Sequence, residues 1–140
     1  MIEALRLAAP AKLNLFLHVI GRRADGFHLI QTAFRLIDLC DGITLVPGDG
    51  GAVRLETGLP GVPAEENLVL RAARALKRAA GARAGAAIRV EKRIPIGAGL
   101  GGGSSDAATT LIGLNRLWHT GLSRGDLASI GVTLGADVPF

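Results

Sequence analysis

The chain has 140 residues and a net charge of +4, with 49% apolar and 20% charged residues. This balance is typical of one globular domain, and no apolar run approaches the roughly 20 residues that cross a membrane. The N-terminal stretch has an acid at Glu3 and no long apolar run, so we expect no secretory signal. A single cysteine, Cys40, excludes an internal disulfide and suits a reducing compartment, so we expect a cytoplasmic protein.

Charge is distributed unevenly along the chain. Residues 1–70 carry 6 basic and 8 acidic side chains, whereas residues 71–140 carry 10 and 4. A basic second half suits an anionic ligand, although arginines on solvated helix faces give the same count. With four phenylalanines, one tryptophan and no tyrosine, the chain has few aromatic side chains that could stack on nucleic-acid bases. We therefore expect no nucleic-acid partner.

The first part of the chain has the alternating pattern of β-strands. The predicted strands are 4–8, 12–20, 29–38, 43–47 and 52–57. Lys12 and Asn14 fall on the same face of the second strand. The Asp-Gly pair at 41–42 predicts a turn, and the sequence GDGG predicts a hairpin between the last two strands.

The second part alternates helices with one strand. The predicted elements are a helix at 68–80 between an Asn67 cap and Gly81, a strand at 87–94, a helix at 105–119, and a short helix that begins with a Ser123–Asp126 capping box and ends near Gly131. Because strands come first and helices later, the pattern favours the α+β class.

A glycine-rich stretch joins the strand at 87–94 to the next helix. Strand, glycine loop and helix N-terminus together can hold a phosphate, because the first helix amides lack intrahelical partners and glycine lets an anion approach the backbone. Hydroxyls at Ser104 and Ser105 could cap the helix, bond a phosphate oxygen or help to hold Mg²⁺. The predicted phosphate-binding residues, called the glycine loop below, are Pro95, Ile96, Gly97, Ala98, Gly99, Leu100, Gly101, Gly102, Gly103, Ser104 and Ser105.

Other interpretations of the glycine loop fit less well. No lysine follows the glycines, which excludes the Walker A pattern. Residues 97–102 match the dinucleotide fingerprint G-x-G-x-x-G, but the preceding strand alternates apolar and charged residues, unlike a central parallel strand. The protein-kinase glycine loop does not open a helix. A plain turn before a serine-capped helix needs far fewer glycines.

The glycine loop resembles the nucleotide-binding motif of the GHMP kinases, a superfamily that includes galactokinase, homoserine kinase and mevalonate kinase. Two further stretches, PAKLNLFLHVIGRRADGFH (10–28) and LGADVPF (134–140), resemble the branch that phosphorylates CDP-methylerythritol. The resemblance implies a fold like domain 2 of ribosomal protein S5, with a mixed or antiparallel sheet and helices on one face. It also implies that residues 1–140 are a nearly complete N-terminal ATP-binding domain and that a C-terminal ferredoxin-like domain is absent.

The resemblance also implies roles for individual residues. By the family pattern, Asp137 is the base that accepts a hydroxyl proton, and Lys12 is its partner beside the transferred phosphoryl group. ATP would bind at the glycine loop with Mg²⁺, and no His/Cys/Asp/Glu set has the spacing of a separate metal site. Asn14, Phe27 and His28 would contact the substrate, with Phe27 standing where the family usually has a tyrosine that stacks on cytosine.

Two other functions fit parts of this pattern. Another GHMP kinase, such as homoserine kinase, would keep the glycine loop but needs neither ADGFH nor GADVPF. A non-enzymatic S5-like RNA-binding domain would explain the basic half but has no use for Lys12, Asp137 or the glycine loop. The sequence leaves open whether the protein is a monomer or a homodimer.

Overall fold

The computed structural model describes residues 4–22, 24, 28–48, 50–56 and 62–139. Within these residues a four-stranded mixed sheet packs with three α-helices, which confirms the α+β class. In chain order the elements are β1 (Leu5–Arg22), β2 (His28–Gly48), β3 (Val53–Leu55), a 3-10 turn (Ala64–Glu66), α1 (Leu68–Ala80), β4 (Gly85–Glu91), α2 (Gly102–Leu117) and α3 (Arg124–Leu134).

β1 and β2 form one long antiparallel hairpin in place of four short strands. The turn predicted at 41–42 is wrong, since Asp41 and Gly42 lie inside β2 and pair with Ala9 and Ala8. Asp41 is instead fully buried and receives hydrogen bonds from the chain that follows β4. The pairing of β1 with β2 changes register after Pro10, Asn14 and Val19. The simple alternation of faces predicted over 12–20 is therefore interrupted.

The sheet order is β1-β2-β4-β3, so the predicted hairpin between 43–47 and 52–57 is also wrong. β4 pairs antiparallel with Gly42–Gly48 of β2 and lies between β2 and β3. β3 pairs with β4 in parallel. The physical reason is burial, because Ala86 and Ile88 of β4 are at most 1% exposed and belong at the centre of the sheet.

The three helices follow their predicted signals closely. α1 has the predicted bounds: Asn67 Oδ1 accepts from Val69 N at 2.9 Å, and Gly81 ends the helix at φ 63°. The Ser123–Asp126 capping box is present, although α3 continues to Leu134. α2 begins three residues earlier than predicted, at Gly102, and Gly101 is its N-cap.

One hydrophobic core lies between the sheet and the helices. Its buried members are Ala9, Ile43, Leu45, Val69, Ala72, Ala73, Leu76, Ala86, Ile88, Ala107, Leu111, Leu114 and Val138. α2 packs close to the sheet at Gly113, where a Cβ would stand 2.5 Å from side-chain carbons of Leu7 and Leu45. No helix among the described residues is long and apolar enough to span a membrane.

The hairpin continues past the part of β2 that pairs with β4. We call residues 12–22 of β1 and 28–40 of β2 the hairpin arm. Four leucines among the described side chains of this arm are exposed: Leu13 by 43%, Leu15 by 62%, Leu36 by 60% and Leu39 by 37%. Among the described side chains, apolar residues of the hairpin therefore form the core where β2 pairs with β4 and are exposed in the adjoining part of the arm.

Candidate functional site

The glycine loop leaves β4 and turns directly into α2. Gly97, Gly99 and Gly101 all have left-handed backbones, with φ of 77°, 75° and 69°. Its last four residues form the first turn of α2, and the first intrahelical bond runs from Ser105 N to Gly101 O at 2.9 Å. The amides of the three residues before Ser105 therefore precede the helix ladder and are available to an anion.

The serines of the glycine loop lie in the first turn of α2. Neither caps the helix, since the N-cap is Gly101 and no side chain bonds there. Ser104 and Ser105 instead line an open pocket of about 290 Å³. Among the described residues, the pocket is lined by Leu7, Ala8, Pro10, Lys12, Leu36, Gly101, Ser104, Ser105, Ala108, Thr109, Ile112, Asp137 and Val138.

Lys12 and Asp137 meet in this pocket. Lys12 Nζ lies 3.4 Å from Asp137 Oδ1, although the two residues are far apart in sequence. The Lys12 side chain is 11% exposed, whereas the Asp137 side chain is 55% exposed and accessible from the pocket. The sequence-based pairing of these two residues is therefore matched by their geometry.

Lys12 is held against the glycine loop as well as against Asp137. Its backbone N–H donates to Leu100 O at 2.9 Å. Its side chain crosses Gly101, where a Cβ would stand 2.7 Å from Lys12 Cε. Glycine at this position therefore serves two purposes: it adopts the left-handed backbone and leaves room for the lysine.

A second group of charges lies behind the glycine loop and was missed by sequence reasoning. Lys92 Nζ donates to Asp41 Oδ2 at 2.6 Å and to Asp106 Oδ2 at 2.9 Å. Asp41 is fully buried and Asp106 is 3% exposed. The available signals were two carboxylates within apolar runs, but the first belonged to an Asp-Gly pair that normally indicates a turn.

The three charges shift one another's ionisation. Burial raises the pKa of Asp106 to about 7, helped by its hydrogen bond with Asp41 and opposed by Lys92. Burial also acts to raise the pKa of Asp41, but hydrogen bonds from Asp106, the Ile94 amide and Lys92 outweigh it and lower the pKa. For Lys92, burial acts to lower the pKa, and the two carboxylates more than reverse this. Asp41 and Lys92 therefore form an ion pair.

The predicted substrate contacts lie at the edge of the described residues. The Asn14 backbone pairs with Phe34, and His28 begins β2 opposite Arg22. The side chains of Asn14 and His28 are outside the described part of the structure, and so is the whole of Phe27. In the described residues, no group of three or more His, Cys, Asp or Glu side chains could hold a metal.

Comparison with known proteins places this site in a family. The model of the GHMP kinases N-terminal domain matches residues 67–140. The chain is 62% identical over 141 residues to 4-diphosphocytidyl-2-C-methyl-D-erythritol kinase of Aromatoleum aromaticum, covering 99% of this chain and 50% of the relative. The enzyme of that name from Bordetella pertussis is 64% identical over 131 residues, covering 94% and 44%. The chain thus spans about half the length of these relatives.

Solved structures give the same result for the fold. A crystal structure of 4-(cytidine 5'-diphospho)-2C-methyl-D-erythritol kinase matches with a TM-score of 0.84 at 45% identity, covering 97% of this chain and 48% of that one. A mevalonate kinase structure matches with a TM-score of 0.71 at 21% identity, covering 96% and 47%. The second likeness is one of fold alone.

Proposed function

The chain belongs to the GHMP kinase family, and on this premise we propose that it is the N-terminal half of a 4-diphosphocytidyl-2-C-methyl-D-erythritol kinase. The reaction moves the γ-phosphoryl group of ATP to the 2-hydroxyl of the methylerythritol unit, a step of non-mevalonate isoprenoid synthesis. The observation that carries the proposal is the shared pocket, in which the glycine loop, Lys12 and Asp137 all meet.

ATP would bind with its phosphates at the glycine loop. The unpaired amides at the start of α2 and the positive end of its dipole favour a polyanion there. Ser104 and Ser105 line the pocket and are the candidates to contact a phosphate oxygen or Mg²⁺. The metal, arriving with ATP, would neutralise phosphate charge, since phosphoryl transfer depends mainly on positioning and charge stabilisation.

Lys12 and Asp137 would act on the acceptor hydroxyl. Asp137 accepts the hydroxyl proton as the oxygen attacks the γ-phosphorus, and the bond from that phosphorus to the bridging oxygen breaks to release ADP. Lys12 Nζ, 3.4 Å from Asp137, offsets the negative charge that develops on the transferred group. Asp137 is exposed enough to meet a substrate, and Lys12 is buried enough to stay in place.

The other substrate contacts would come from Asn14 and His28 of the hairpin arm and from Phe27. Phe27 would stack on the cytosine ring, which needs an aromatic face and no hydroxyl. His28 would bond the cytosine edge, and Asn14 would contact the substrate from β1 on the same strand as Lys12. We further propose a cytoplasmic protein, monomer or homodimer, that binds these small molecules and no nucleic acid.

Calorimetry tests the two binding sites separately. The 140-residue chain is titrated with Mg-ATP and, in a second experiment, with CDP-methylerythritol. We expect Mg-ATP to bind, because the glycine loop and its anchors lie within the described residues. A folded chain that binds neither compound would contradict the assignment of the nucleotide site to this half.

Activity is tested in a longer protein. The chain is joined to the remaining half of the Aromatoleum aromaticum relative, and ADP release is followed with CDP-methylerythritol, homoserine or mevalonate as acceptor. We expect turnover with CDP-methylerythritol alone. Preferred turnover of homoserine or mevalonate would keep the kinase chemistry and reject the proposed substrate.

A further inference from the structure

Three charged residues lie behind the glycine loop and connect the chain before the loop to the chain after it. We call Asp41, Lys92 and Asp106 the clasp. Asp41 is fully buried and is not part of the pocket lining, so it cannot touch a ligand in that pocket. Any influence of Asp41 on the site must therefore pass through the residues that it holds.

The clasp fixes the chain where it enters the glycine loop. A single oxygen, Asp41 Oδ1, accepts from Arg93 N at 2.7 Å and from Ile94 N at 2.8 Å. These consecutive amides stand immediately before the first residue of the loop. Two bonds from neighbouring peptides to one buried oxygen define the direction in which the chain leaves β4. Hydrogen bonds to a charged acceptor are the stronger kind.

Asp41 is also connected, through Lys92, to the residue that follows the glycine loop. Asp41 Oδ2 accepts from Lys92 Nζ at 2.6 Å, and Lys92 Nζ donates to Asp106 Oδ2 at 2.9 Å on the far side of the loop. The two ends are in close approach as well, because a Cβ on Gly102 would stand 3.0 Å from Ile94 Cγ2. Both ends of the glycine loop are therefore held at one buried point.

We propose that Asp41 is a positioning residue for the nucleotide site, an inference that rests on the proposed function. A buried ion pair adds little net stability compared with apolar residues of the same volume, so stability alone does not account for the clasp. Fixing the loop ends aims the amides of the left-handed glycines and of the α2 N-terminus at one place. Misplacement by about 1 Å can reduce the rate of phosphoryl transfer roughly 100-fold.

Three variants of the 140-residue chain test this role. Asp41→Ala removes both connections. Asp41→Asn keeps an oxygen for the two backbone amides but turns an NH₂ group toward Lys92. Ile43→Ala is the matched control, since Ile43 lies on the same strand and is 1% exposed, and its truncation removes buried volume but no hydrogen bond of the clasp. Each is compared with the unsubstituted chain for Mg-ATP affinity per folded molecule. Hydrogen exchange without nucleotide is also measured at the amides of Lys12 and Ser105, which donate to carbonyls of the glycine loop.

We expect Asp41→Ala to bind Mg-ATP at least about 10-fold more weakly, because a loop that is not held must be ordered on binding. Asp41→Asn should be intermediate, and Ile43→Ala should keep normal affinity. The amides of Lys12 and Ser105, which donate to the loop carbonyls of Leu100 and Gly101, should exchange faster in the same order. Unchanged affinity and exchange in Asp41→Ala would overturn the proposal. If that variant does not fold, Asp41→Asn decides. Unchanged exchange at the amides of Lys12 and Ser105 overturns the proposal, and faster exchange at these two amides but not in α1 or α3 supports it.

The two readouts separate this inference from the proposed function. If the unsubstituted chain binds no Mg-ATP, the nucleotide assignment fails, and hydrogen exchange still decides whether Asp41 orders the loop. If the unsubstituted chain binds and Asp41→Ala binds equally well, the assignment stands and the positioning role fails.

Discussion

The glycine loop and the hairpin arm are built in opposite ways. The loop starts beside a buried side chain, Ile94, which is 2% exposed and whose amide donates to the buried carboxylate of Asp41. The residue after the loop, Asp106, is connected to the same carboxylate through Lys92. The arm leaves Leu15 62% exposed and Leu36 60% exposed. Leu45, on the same strand as Leu36, is completely buried. The proposed nucleotide side of the site therefore has packing and hydrogen bonds among the described residues, whereas the described leucines of the arm are exposed.

The largest expected effect comes from substituting the proposed catalytic pair, Lys12 and Asp137, which should reduce turnover without reducing Mg-ATP affinity. The substitutions are made in the chain joined to the remaining half of the Aromatoleum aromaticum relative. There, Lys12→Met keeps the aliphatic stem near Gly101 but loses the charge, and we expect kcat to fall about 100-fold or more. Asp137→Asn removes the base and should cost roughly 100- to 10,000-fold. Calorimetry with Mg-ATP should show affinity within about threefold of the unsubstituted protein, because the loop amides are intact. Near-normal turnover in either variant would remove that residue from the mechanism.

Two leucines on β2 test the contrast between core and arm. Leu45→Ala empties a fully buried site and should lower the free energy of unfolding by about 2–5 kcal/mol. Leu36→Ala on the exposed arm should change it by less than about 0.5 kcal/mol. Urea denaturation of the 140-residue chain measures both. A large loss in Leu36→Ala would mean that the arm is packed in solution, and its dependence on protein concentration would reveal a second copy.

Two glycines with the same backbone conformation test the contact between Lys12 and the loop. Gly101 and Gly121 have φ of 69° and 72°, but only at Gly101 would a Cβ meet a side chain. Alanine at either position should cost about 1–2 kcal/mol for the left-handed backbone. Only Gly101→Ala should also weaken Mg-ATP binding, by about 10-fold, because it displaces Lys12 and the loop. Equal affinities in the two variants would show that the close contact is not functional.

The helices could be predicted from sequence because their signals are local. Asn67, Gly81 and the Ser123–Asp126 pair each act within a few residues, and all are present as predicted. The strand pairing could not be predicted in this way. The partner of β3 is decided by β4, which comes some 30 residues later and occupies the centre of the sheet.

The site shows the same division between local and distant causes. The glycine loop, Lys12 and Asp137 were found from motifs, and the structure brings them to one pocket. Asp41 was missed because an Asp-Gly pair normally turns the chain, and only contact with residues 51 to 53 positions later shows why it is buried. The motif locates the loop, but long-range packing decides what holds it.

The smallest predicted effect concerns Asp106 and depends on pH. The pKa of Asp106 is raised to about 7 from its ordinary value of 3.8, so the folded chain holds more protons than the unfolded chain between these values. Stability therefore falls as pH rises through this window, and the full cost is present above pH 7.

The variant Asp106→Asn tests this dependence. It cannot ionise, but it also loses the attraction to Lys92, so we expect its free energy of unfolding to be higher by about 1 kcal/mol at pH 8.5 and unchanged near pH 4. Asp41, whose pKa is lowered, loses its contribution only below 3.8, outside the window. Thermal unfolding of the unsubstituted chain and of Asp106→Asn at a series of pH values measures the difference in stability. A gain that is independent of pH would show that packing, not ionisation, is its cause.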